Sequence, residues 1–389
     1  MKYEIRKRED GKEAIFDEKG NQISPDWFDE IWKYGLVEGK SNYYLAKKNG
    51  KWAIFDVNGN MITKDWYDWI SLNGLVCGES RYYEVVKNGK GAIFDVNGNK
   101  ISPYWFDLIY LYGLVFGQSR YYVAEKDKKK AIFDLNGNMI TKEWFDYVSQ
   151  DGLVRGHTDY YAAGKNGKVA IFNKDGERIT QWYDFLFDNT GLVKGQSPYY
   201  IAKKKGKYAI FDINGRRITE FYDEILLSGL VSGKSEYYIA KKDGKWALFH
   251  KDGKQITPEW FDWIEPDGLV LGKSDYYLAK KSGKVAIFDK NGKMVSPEWF
   301  DRIEKYGLVI GESPYYIARK GMNKAIFNVN GNQITPEWFD LIYADGLVMG
   351  ESKYYIAIKD GKEAIFDKDG NMISPEWFDE ISPYGLVKG

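Results

Sequence analysis

Acidic and amide side chains recur at short spacing along this chain in the pattern Asp-x-Asn-Gly-Asn, for example at residues 56–60 and 95–99. Hard oxygen donors in such an arrangement are the ligands that Ca²⁺ prefers. A calcium loop of the EF-hand kind needs a glycine at its sixth position and a bidentate acid at its twelfth, and neither is present here. We therefore interpret the motif as a turn in which the aspartate caps backbone amides and the glycine adopts a positive φ.

The residues that most often perform catalysis or bind transition metals are scarce, since His157, His250 and Cys77 are the whole set of histidines and cysteines. Three scattered side chains cannot supply the usual ligand number of a transition-metal site. No Gly-rich loop followed by Lys-Ser or Lys-Thr is present to hold a phosphate ahead of a helix. We expect the protein not to be an enzyme and to use no metal and no cofactor.

Tryptophan recurs in a Trp-Phe-Asp or Trp-Tyr-Asp motif that forms a regularly spaced aromatic ladder, with phenylalanine in the place of one indole. The tryptophans of this ladder are Trp27, Trp66, Trp105, Trp144, Trp182, Trp260, Trp299, Trp338 and Trp377. Such a row of rings could stack sugar rings along a glycan, which makes these residues the candidate binding site. The alternative is that the rings fill the core between repeats. This is favoured because each one is followed by Phe or Tyr and a short apolar run.

Charged residues balance, with 56 Lys and Arg against 56 Asp and Glu, so no net field recruits nucleic acid or an anionic membrane. Lysines such as Lys203 and Lys281 concentrate at predicted hairpin tips, while acids such as Glu259 and Asp301 flank the tryptophans. Repeated along the chain, this pattern predicts one basic edge and one acidic edge. The edges could attract copies of the molecule or an oppositely charged partner.

A repeat sets the positions of all these motifs. The triplet Ala-Ile-Phe, once Ala-Leu-Phe, begins at Ala14, Ala53, Ala92, Ala131, Ala170, Ala209, Ala247, Ala286, Ala325 and Ala364, a step of 39 residues with a single 38. Fixed self-similarity at this period is typical of a solenoid, propeller or array, whose units must stack to bury their apolar faces. No linker interrupts the pattern, so we predict a single repeat domain of ten units over residues 1–389.

Each unit contains a predicted β-hairpin, represented by residues 43–56. Two β-prone runs flank Asn49-Gly50, the dipeptide that best accepts the two positive φ angles of a type I′ turn. This two-residue loop sets a register in which Ala46 lies opposite Ala53. Both faces of the hairpin are apolar at its centre, so both must be covered by neighbouring units.

The second half of each unit is predicted to contain a short strand, a helical corner and a lead-in to the next hairpin. In one copy the strand is residues 61–63. In another copy, Thr335 as N-cap and Pro336 at the first helical position predict a short helical turn. Gly346 ends that turn as a left-handed residue, and residues 346–348 begin an extended lead-in.

These motifs resemble the repeats of bacterial WG-repeat proteins, also called KWG repeats, in all ten units. The matching residues are Gly50-Lys51-Trp52 in the hairpin, Phe55-Asp56 in the strand, Gly59 in the turn, and Trp66-Tyr67-Asp68 in the corner, with Pro336 as an example of the corner proline. The resemblance implies a non-catalytic repeat module of a bacterial protein.

The expected fold is all-β: a tandem array of about ten 39-residue hairpin units, each with a short helical corner. An open curved solenoid is favoured, and a closed propeller-like ring is the alternative. The expected function is a scaffold for protein–protein interaction or self-assembly, with a protein partner or further copies of the chain. Glycan or cell-wall binding through the aromatic ladder is the alternative. We expect no nucleic-acid partner and no insertion into a membrane.

The first residues lack an apolar signal segment, and no window of the chain reaches the apolar length of a membrane span. The compartment stays open between the cytoplasm and, after processing, secretion or the cell surface.

Overall fold

The computed structural model describes residues 2–388, which form two compact units, one ending at Gly195 and one beginning at Gln196. Both units are built from the 39-residue repeat and are almost entirely β. The only helix in the described range is α1 (Gly191–Lys194), and no helix there is long and apolar enough to cross a bilayer. The predicted all-β repeat fold is therefore confirmed.

Long and short strands alternate in a fixed order along the chain. The long strands, which form the hairpins, are β1 (Tyr3–Lys7), β2 (Glu13–Asp17), β4 (Tyr43–Lys48), β5 (Lys51–Asp56), β7 (Tyr82–Lys87), β8 (Lys90–Asp95), β10 (Tyr121–Lys126), β11 (Lys129–Asp134), β13 (Tyr160–Lys165), β14 (Lys168–Asn173), β16 (Tyr199–Lys204), β17 (Lys207–Asp212), β19 (Tyr237–Lys242), β20 (Lys245–His250), β22 (Tyr276–Lys281), β23 (Lys284–Asp289), β25 (Tyr315–Lys320), β26 (Asn323–Asn328), β28 (Tyr354–Lys359) and β29 (Lys362–Asp367). The short strands are β3 (Glu30–Ile31), β6 (Trp69–Ile70), β9 (Leu108–Tyr110), β12 (Tyr147–Val148), β15 (Phe185–Leu186), β18 (Glu224–Ile225), β21 (Trp263–Ile264), β24 (Arg302–Ile303) and β27 (Leu341–Ile342).

The hairpins adopt the predicted register. In β4–β5, Ala46 lies opposite Ala53. The loop residues Asn49 and Gly50 have φ angles of 51° and 77°, as a type I′ turn requires. The Asn-Gly dipeptide therefore fixes which side chains share a face of the sheet.

The sheet of β1 and β2 has two strands, and in each later sheet a short strand adds a third by pairing with the first strand of the hairpin that follows it. In β6, Trp69 lies opposite Val86 and Ile70 opposite Val85 of β7. The first unit contains the sheets β3–β5, β6–β8, β9–β11 and β12–β14, and the second contains β18–β20, β21–β23, β24–β26 and β27–β29. The strand predicted at residues 61–63 is reduced to a single bridge between Phe55 and Met61 at the edge of β5. The same edge also carries the bridge between Trp52 and Tyr67 of the corner, whereas the short strand β3 pairs with β4 on the other edge of the sheet.

The corner before each short strand is a bend, so the prediction of a helical turn at this place is wrong. The Phe339 N–H donates to the Lys324 oxygen at 2.9 Å, and the Lys324 N–H donates to the Phe339 oxygen at 2.7 Å. These two bonds hold the corner against the hairpin and use the groups that a helix would need. Thr335, the residue expected to cap a helix, has no hydrogen-bond partner for its hydroxyl within residues 2–388. In another repeat the equivalent Ser296 accepts a hydrogen bond from the hairpin instead, from the Ile287 N–H to Oγ at 3.2 Å.

The helical conformation lies one segment later, where an extended lead-in was expected. The Glu351 N–H donates to the Gly346 oxygen at 2.8 Å, and in the fifth repeat the equivalent segment is helix α1. Gly346 has the predicted left-handed conformation, with φ of 79°. A Cβ at Gly346 would lie 2.3 Å from the Tyr354 oxygen and 2.7 Å from Val387 Cγ1. Glycine is therefore required both by the backbone conformation and by the close approach of the next repeat.

The core lies between consecutive repeats, because both faces of the hairpins are buried at their centre, except in the first hairpin, where no residue of β1 is buried. One face of β4–β5 carries Tyr44 and Phe55, which pack with Phe28 of the preceding repeat. The opposite face carries Leu45, which packs with Tyr83 of the following repeat. Each of these five side chains is less than 5% exposed. Neighbouring repeats therefore supply each other's interior, as the two-sided apolar pattern predicted.

Aromatic rings make up much of this core. The ring of Phe55 stacks on Tyr44 at a centroid distance of 5.5 Å and an interplanar angle of 16°. Phe28 of the preceding repeat lies 5.1 Å from Phe55 on another side, and Trp66 lies 6.0 Å away. Such offset and tilted contacts are the arrangements that aromatic quadrupoles favour.

The stacked tyrosine of each hairpin brings a hydroxyl into the core. Burial raises the pKa of these phenols, as at Tyr44 and Tyr316. The Tyr238 hydroxyl is hydrogen-bonded to Tyr222 of the preceding corner, a position that holds Phe in most repeats and Tyr also at Tyr67 and Tyr183. The buried tyrosine hydroxyls that lack a hydrogen-bond partner within residues 2–388 are those of Tyr44, Tyr83, Tyr122, Tyr161, Tyr277, Tyr316 and Tyr355.

We expect Tyr316→Phe to leave the free energy of unfolding unchanged or to raise it by up to about 1 kcal/mol, because the substitution removes a buried polar group that has no partner. Tyr238→Phe is the matched comparison, and it should lower the free energy of unfolding by about 1 kcal/mol because it breaks the bond to Tyr222. Urea unfolding followed by circular dichroism measures both. Equal losses in the two variants would contradict the assignment of the hydroxyl partners.

Candidate functional site

The aromatic ladder predicted as a binding site lies at the junctions between repeats. Each tryptophan of the ladder is half-buried. Trp338, for example, has Phe327 of its own hairpin at 5.9 Å and Phe300 of the preceding repeat at 6.1 Å. The ladder therefore fills the core edge, which was the favoured interpretation. Sugar stacking on the exposed part of the rings stays a prediction.

Cations cover the exposed part of some of these indoles. Lys320 Nζ lies 5.3 Å from the Trp338 ring centroid and also pairs with Glu298 at 2.6 Å. Arg8 lies 3.9 Å from the Trp27 centroid in the first repeat. Cation–π contacts of this kind add modest stabilisation at exposed positions. They also shorten the open stretch of ladder that a glycan would have to occupy.

The lysines and acids predicted to form separate edges lie on the same edge, so the prediction of a basic and an acidic edge is wrong. Lys51 Nζ lies 3.1 Å from Asp68 Oδ1 in the corner of its own repeat. The reason is the corner bend, which folds back along the hairpin and brings the acid to the hairpin tip. The same pairing joins Lys12–Asp29, Lys90–Asp107, Lys129–Asp146, Lys168–Asp184, Lys207–Asp223, Lys245–Asp262, Lys284–Asp301 and Lys362–Asp379.

The corner aspartate also reaches the next repeat. Asp68 Oδ2 accepts a hydrogen bond from the N–H of Asn88, at the tip of the following hairpin, at 2.7 Å. This backbone bond and the Lys51 ammonium lower the pKa of Asp68. The ion pairs are solvent-exposed, so their contribution to stability is small. Their main effect is to leave each hairpin edge locally neutral.

The Asp-x-Asn-Gly-Asn segment is the turn that its sequence predicts. Asp56 Oδ1 accepts the N–H groups of Asn58 and Asn60 at 2.9 and 2.8 Å, and Asp56 Oδ2 accepts the side-chain amide of Asn60 at 3.0 Å. Gly59 adopts a φ of 81°. The described residues contain no group of three or more His, Cys, Asp or Glu placed to hold a metal ion.

The scarce reactive side chains are dispersed. His250 Nδ1 lies 3.0 Å from Asp252, within the turn where other repeats have the capping Asp, and its Nε2 lies 3.3 Å from Glu236. His157 lies 3.9 Å from Asp151. Cys77 is partly buried, and burial raises the pKa of its thiol. The structure does not bring these residues together.

A second set of positions changes chemistry from repeat to repeat while the surrounding framework stays the same. Each three-stranded sheet has four such residues on one face. Two of them precede and follow the central Ile, Leu or Val of the short strand. The other two lie opposite each other in the two strands of the hairpin. We call each group a variable cluster. In the first unit the clusters are Glu30/Trp32/Lys47/Trp52, Trp69/Ser71/Val86/Gly91, Leu108/Tyr110/Glu125/Lys130 and Tyr147/Ser149/Gly164/Val169. In the second they are Glu224/Leu226/Lys241/Trp246, Trp263/Glu265/Lys280/Val285, Arg302/Glu304/Arg319/Lys324 and Leu341/Tyr343/Ile358/Glu363.

The strand register places the members of a cluster side by side. Leu108 lies opposite Glu125, which lies opposite Lys130 in the next strand. The Tyr110 hydroxyl donates to Glu125 at 3.3 Å, and Lys130 lies 5.5 Å from the Tyr110 ring centroid. In another cluster the Trp32 indole nitrogen donates to Glu30 at 2.7 Å, within the same geometric frame. Each cluster is therefore a distinct chemical group on a common backbone. The residue ahead of the central Ile, Leu or Val is exposed in most clusters, as at Trp69, whereas other members, such as Trp52 and Ser71, are buried.

Several cluster members expose large apolar side chains. Trp69 is 40% exposed, Leu108 47% and Tyr147 40%, and all three occupy the same position of successive repeats in the first unit. The equivalent position holds Glu224 and Arg302 in the second unit. Exposed apolar residues at equivalent positions of a repeat are a feature of interaction surfaces.

Sequence reasoning based on recurring motifs missed the variable clusters, because it searched for what the repeats share. The signal lies in the alignment of the ten copies with one another. The position of Trp69 alternates among aromatic, aliphatic, acidic and basic residues, whereas the positions of Tyr44, Ala53 and Phe55 barely change. Only the strand pairing shows that four such positions share one face of each sheet.

No known family model matches the chain, and no curated protein matches it. Similar solved structures include a eukaryotic initiation factor, with 11% identity over 88% of this chain and 96% of that chain and a TM-score of 0.30. The computationally designed Ika8 protein has 11% identity over 75% and 92%, with a TM-score of 0.26. Kluyveromyces lactis Hsv2 has 12% identity over 65% and 88%, with a TM-score of 0.25. At these identities and TM-scores the similarity assigns neither a family nor a function to the chain.

Glu84 is a buried acid in a position that is apolar in the neighbouring repeats. It replaces Leu45 of the preceding hairpin and is only 6% exposed. Burial raises the pKa of its carboxyl group from 4.5 to about 7. Gly91 makes room for it, since a Cβ there would lie 2.8 Å from Glu84 Oε1. No hydrogen bond or ion pair of this carboxyl group is found within the described range.

We expect the free energy of unfolding to fall as the pH rises from about 4.5 to about 7, because the unfolded chain releases the Glu84 proton at lower pH than the folded chain. At about 1.4 kcal/mol per pKa unit, the full loss above pH 7 is roughly 3 kcal/mol. Glu84→Leu should remove this loss and stabilise the protein most at high pH. Urea unfolding across this pH range measures the effect.

Glu84→Gln is the matched control, since it removes the ionisation and keeps the shape. In this variant the free energy of unfolding should no longer show the pH dependence that comes from Glu84. It should also lack the extra stability that a buried apolar leucine gives at low pH. Identical pH curves for the natural protein and the Gln variant would show that Glu84 does not titrate in this range.

Proposed function

We propose that the chain is a non-catalytic repeat scaffold that binds a protein partner, or further copies of itself, through its variable clusters. The observation that carries the proposal is the contrast between an unchanging framework and the four positions per sheet that change in charge, size and aromaticity. Repeat proteins that recognise macromolecules use such an arrangement, in which the repeat supplies the shape and the variable positions supply specificity.

The absence of catalysis is part of the proposal. The framework places the same turn, corner and hairpin in every repeat, so a reaction centre would have to arise within a single variable cluster. The acids of the clusters are engaged by neighbours, as Glu363 is by the Tyr343 hydroxyl at 3.0 Å. The arrangement thus favours a binding surface over a nucleophile and its base.

Membership of the bacterial WG-repeat proteins is likewise proposed. In its support, Gly50-Lys51-Trp52 opens the second hairpin strand, Gly59 lies in the following turn, and Asp68 ends the corner. Each motif that carries the resemblance thus has a defined place in the repeat.

The test compares two double variants of the first unit. Trp69→Ala with Tyr147→Ala removes exposed rings from two variable clusters, whereas Met61→Ala with Tyr104→Ala removes exposed apolar side chains outside the clusters. We expect the first double variant to bind about tenfold more weakly, or weaker still, than the natural protein. The measurement is self-association in sedimentation velocity or, for a defined partner, affinity capture. The second pair should behave as the natural protein. Equal binding by both variants would refute the role of the clusters.

Glycan binding is the second candidate, favoured by the half-exposed tryptophans of the aromatic ladder. We expect Trp338→Ala and Trp377→Ala to reduce retention on a glycan array or on peptidoglycan if the ladder stacks sugars. Loss of retention in these variants with unchanged protein binding would support the glycan role. No retention of the natural protein would discard it.

A further inference from the structure

The variable cluster of sheet β24–β26 differs from the others in its charge. Arg302 lies opposite Arg319, and Arg319 lies opposite Lys324, so three cations stand in one row across the sheet. The fourth member, Glu304, is the only acid of the cluster. The rows of the other clusters named above contain at most one cation each.

A row of like charges weakens a sheet unless anions compensate it, because side chains directly opposite each other lie about 5 Å apart. Glu304 compensates two of the three cations, at 3.3 Å from Arg302 Nη2 and 3.8 Å from Lys324 Nζ. Arg319 has no ion pair within the described part of the chain. Its Nε is also buried without a hydrogen-bond partner there. The Arg319 charge acts on Asp301 only at longer range, where it lowers the pKa of that carboxyl group. Arg319 is therefore the cation of the row that lacks a direct anionic partner among residues 2–388.

A cavity of about 540 Å³ lies beside this row, between sheets β21–β23 and β24–β26 of the second unit. Its cationic lining is Lys280, Arg302, Lys305 and Arg319. Lys280, like Arg319, has no ion pair among residues 2–388. Trp263 contributes an aromatic wall.

The acids of the cavity are already engaged by other groups. Glu265 accepts a hydrogen bond from the Trp263 indole nitrogen at 3.1 Å. Asp301 pairs with Lys284, outside the cavity lining, at 3.1 Å. Glu304 is shared between Arg302 and Lys324. Four cations against three acids leave the lining with a net charge of +1. Lys305 pairs with Asp267 at 3.3 Å, whereas Arg319 and Lys280 form no ion pair among residues 2–388 and act only at longer range on Asp301 and Asp262.

We propose that this cavity binds an anionic oxygen group, a phosphate or a carboxylate, through Arg319 and Arg302, with Lys280 on the facing sheet. Guanidinium groups present parallel N–H donors that match the paired oxygens of these anions. The proposal rests on the proposed function, because it assigns a ligand chemistry to one of the variable clusters. The Trp263 ring beside the cations suits a ligand whose anionic group is joined to a planar or apolar part.

The test is isothermal titration calorimetry of the whole chain at low ionic strength, with inorganic pyrophosphate and a short poly-aspartate peptide as the two probes. We expect at least one probe to bind saturably, and Arg319→Gln and Arg302→Gln each to weaken it by about tenfold or more. Pyrophosphate binding alone identifies a free phosphate compound as the source, and peptide binding alone identifies the carboxylates of a protein partner.

Lys241→Gln is the matched control, because Lys241 occupies the hairpin position of Arg319 in sheet β18–β20 but pairs with Glu224 at 3.6 Å. Its affinity for the probe should equal that of the natural protein. Thermal unfolding adds a second readout: without a probe, Arg319→Gln should melt at the same or a higher temperature, since it relieves like-charge repulsion.

Two results would overturn the proposal: no saturable binding of either probe, or equal weakening by Arg319→Gln and Lys241→Gln. Either can occur while the Trp69 and Tyr147 variants still lose protein binding, so the anion site and the proposed scaffold function fail separately.

Discussion

The burial of both faces of the hairpins that follow the first one is the constraint from which the rest of the structure follows. The preceding repeat excludes solvent almost completely from one face of the hairpin, which carries Tyr44 and Phe55. The following repeat does the same for the other face, which carries Leu45. Burial of a side chain of this size contributes roughly 1.5–3 kcal/mol, and no single 39-residue repeat holds enough partners to obtain it alone. The framework residues are therefore fixed by their neighbours, and the freedom to vary is confined to the margins of each sheet.

Local turn chemistry allowed much of the fold to be predicted from sequence. Asn49-Gly50 implies a type I′ turn, and that turn determines the register of the hairpin and the two apolar faces. The corner was mispredicted because Thr335 and Pro336 carry a good helix-start signal, whereas the conformation is decided by two backbone bonds between Phe339 and Lys324. Those bonds form because the corner folds back along the second strand of the hairpin, and no local sequence pattern encodes this tertiary contact.

The fold of the corner back along the hairpin also explains why the prediction of separate basic and acidic edges was wrong. Lys51 and Asp68 are 17 residues apart and were assigned to opposite edges, yet the corner brings them within 3.1 Å. The tryptophans of the ladder were correctly expected at the repeat junctions, because each has a Phe or Tyr beside it. The variable clusters could not be assembled from sequence, since each combines residues of two consecutive repeats through strand pairing.

The corner aspartate has a further consequence. Asp68 holds the tip of its own hairpin with one oxygen and the backbone of the next tip with the other, and Asp107 and Asp262 bond in the same way at their junctions. The Ser41 hydroxyl also joins consecutive repeats, since it donates to the Val76 oxygen of the following repeat at 2.6 Å. Removing or duplicating one whole repeat would recreate both bonds at the new seam. The chain can thus gain or lose whole repeats during evolution without any change in the residues that join one repeat to the next.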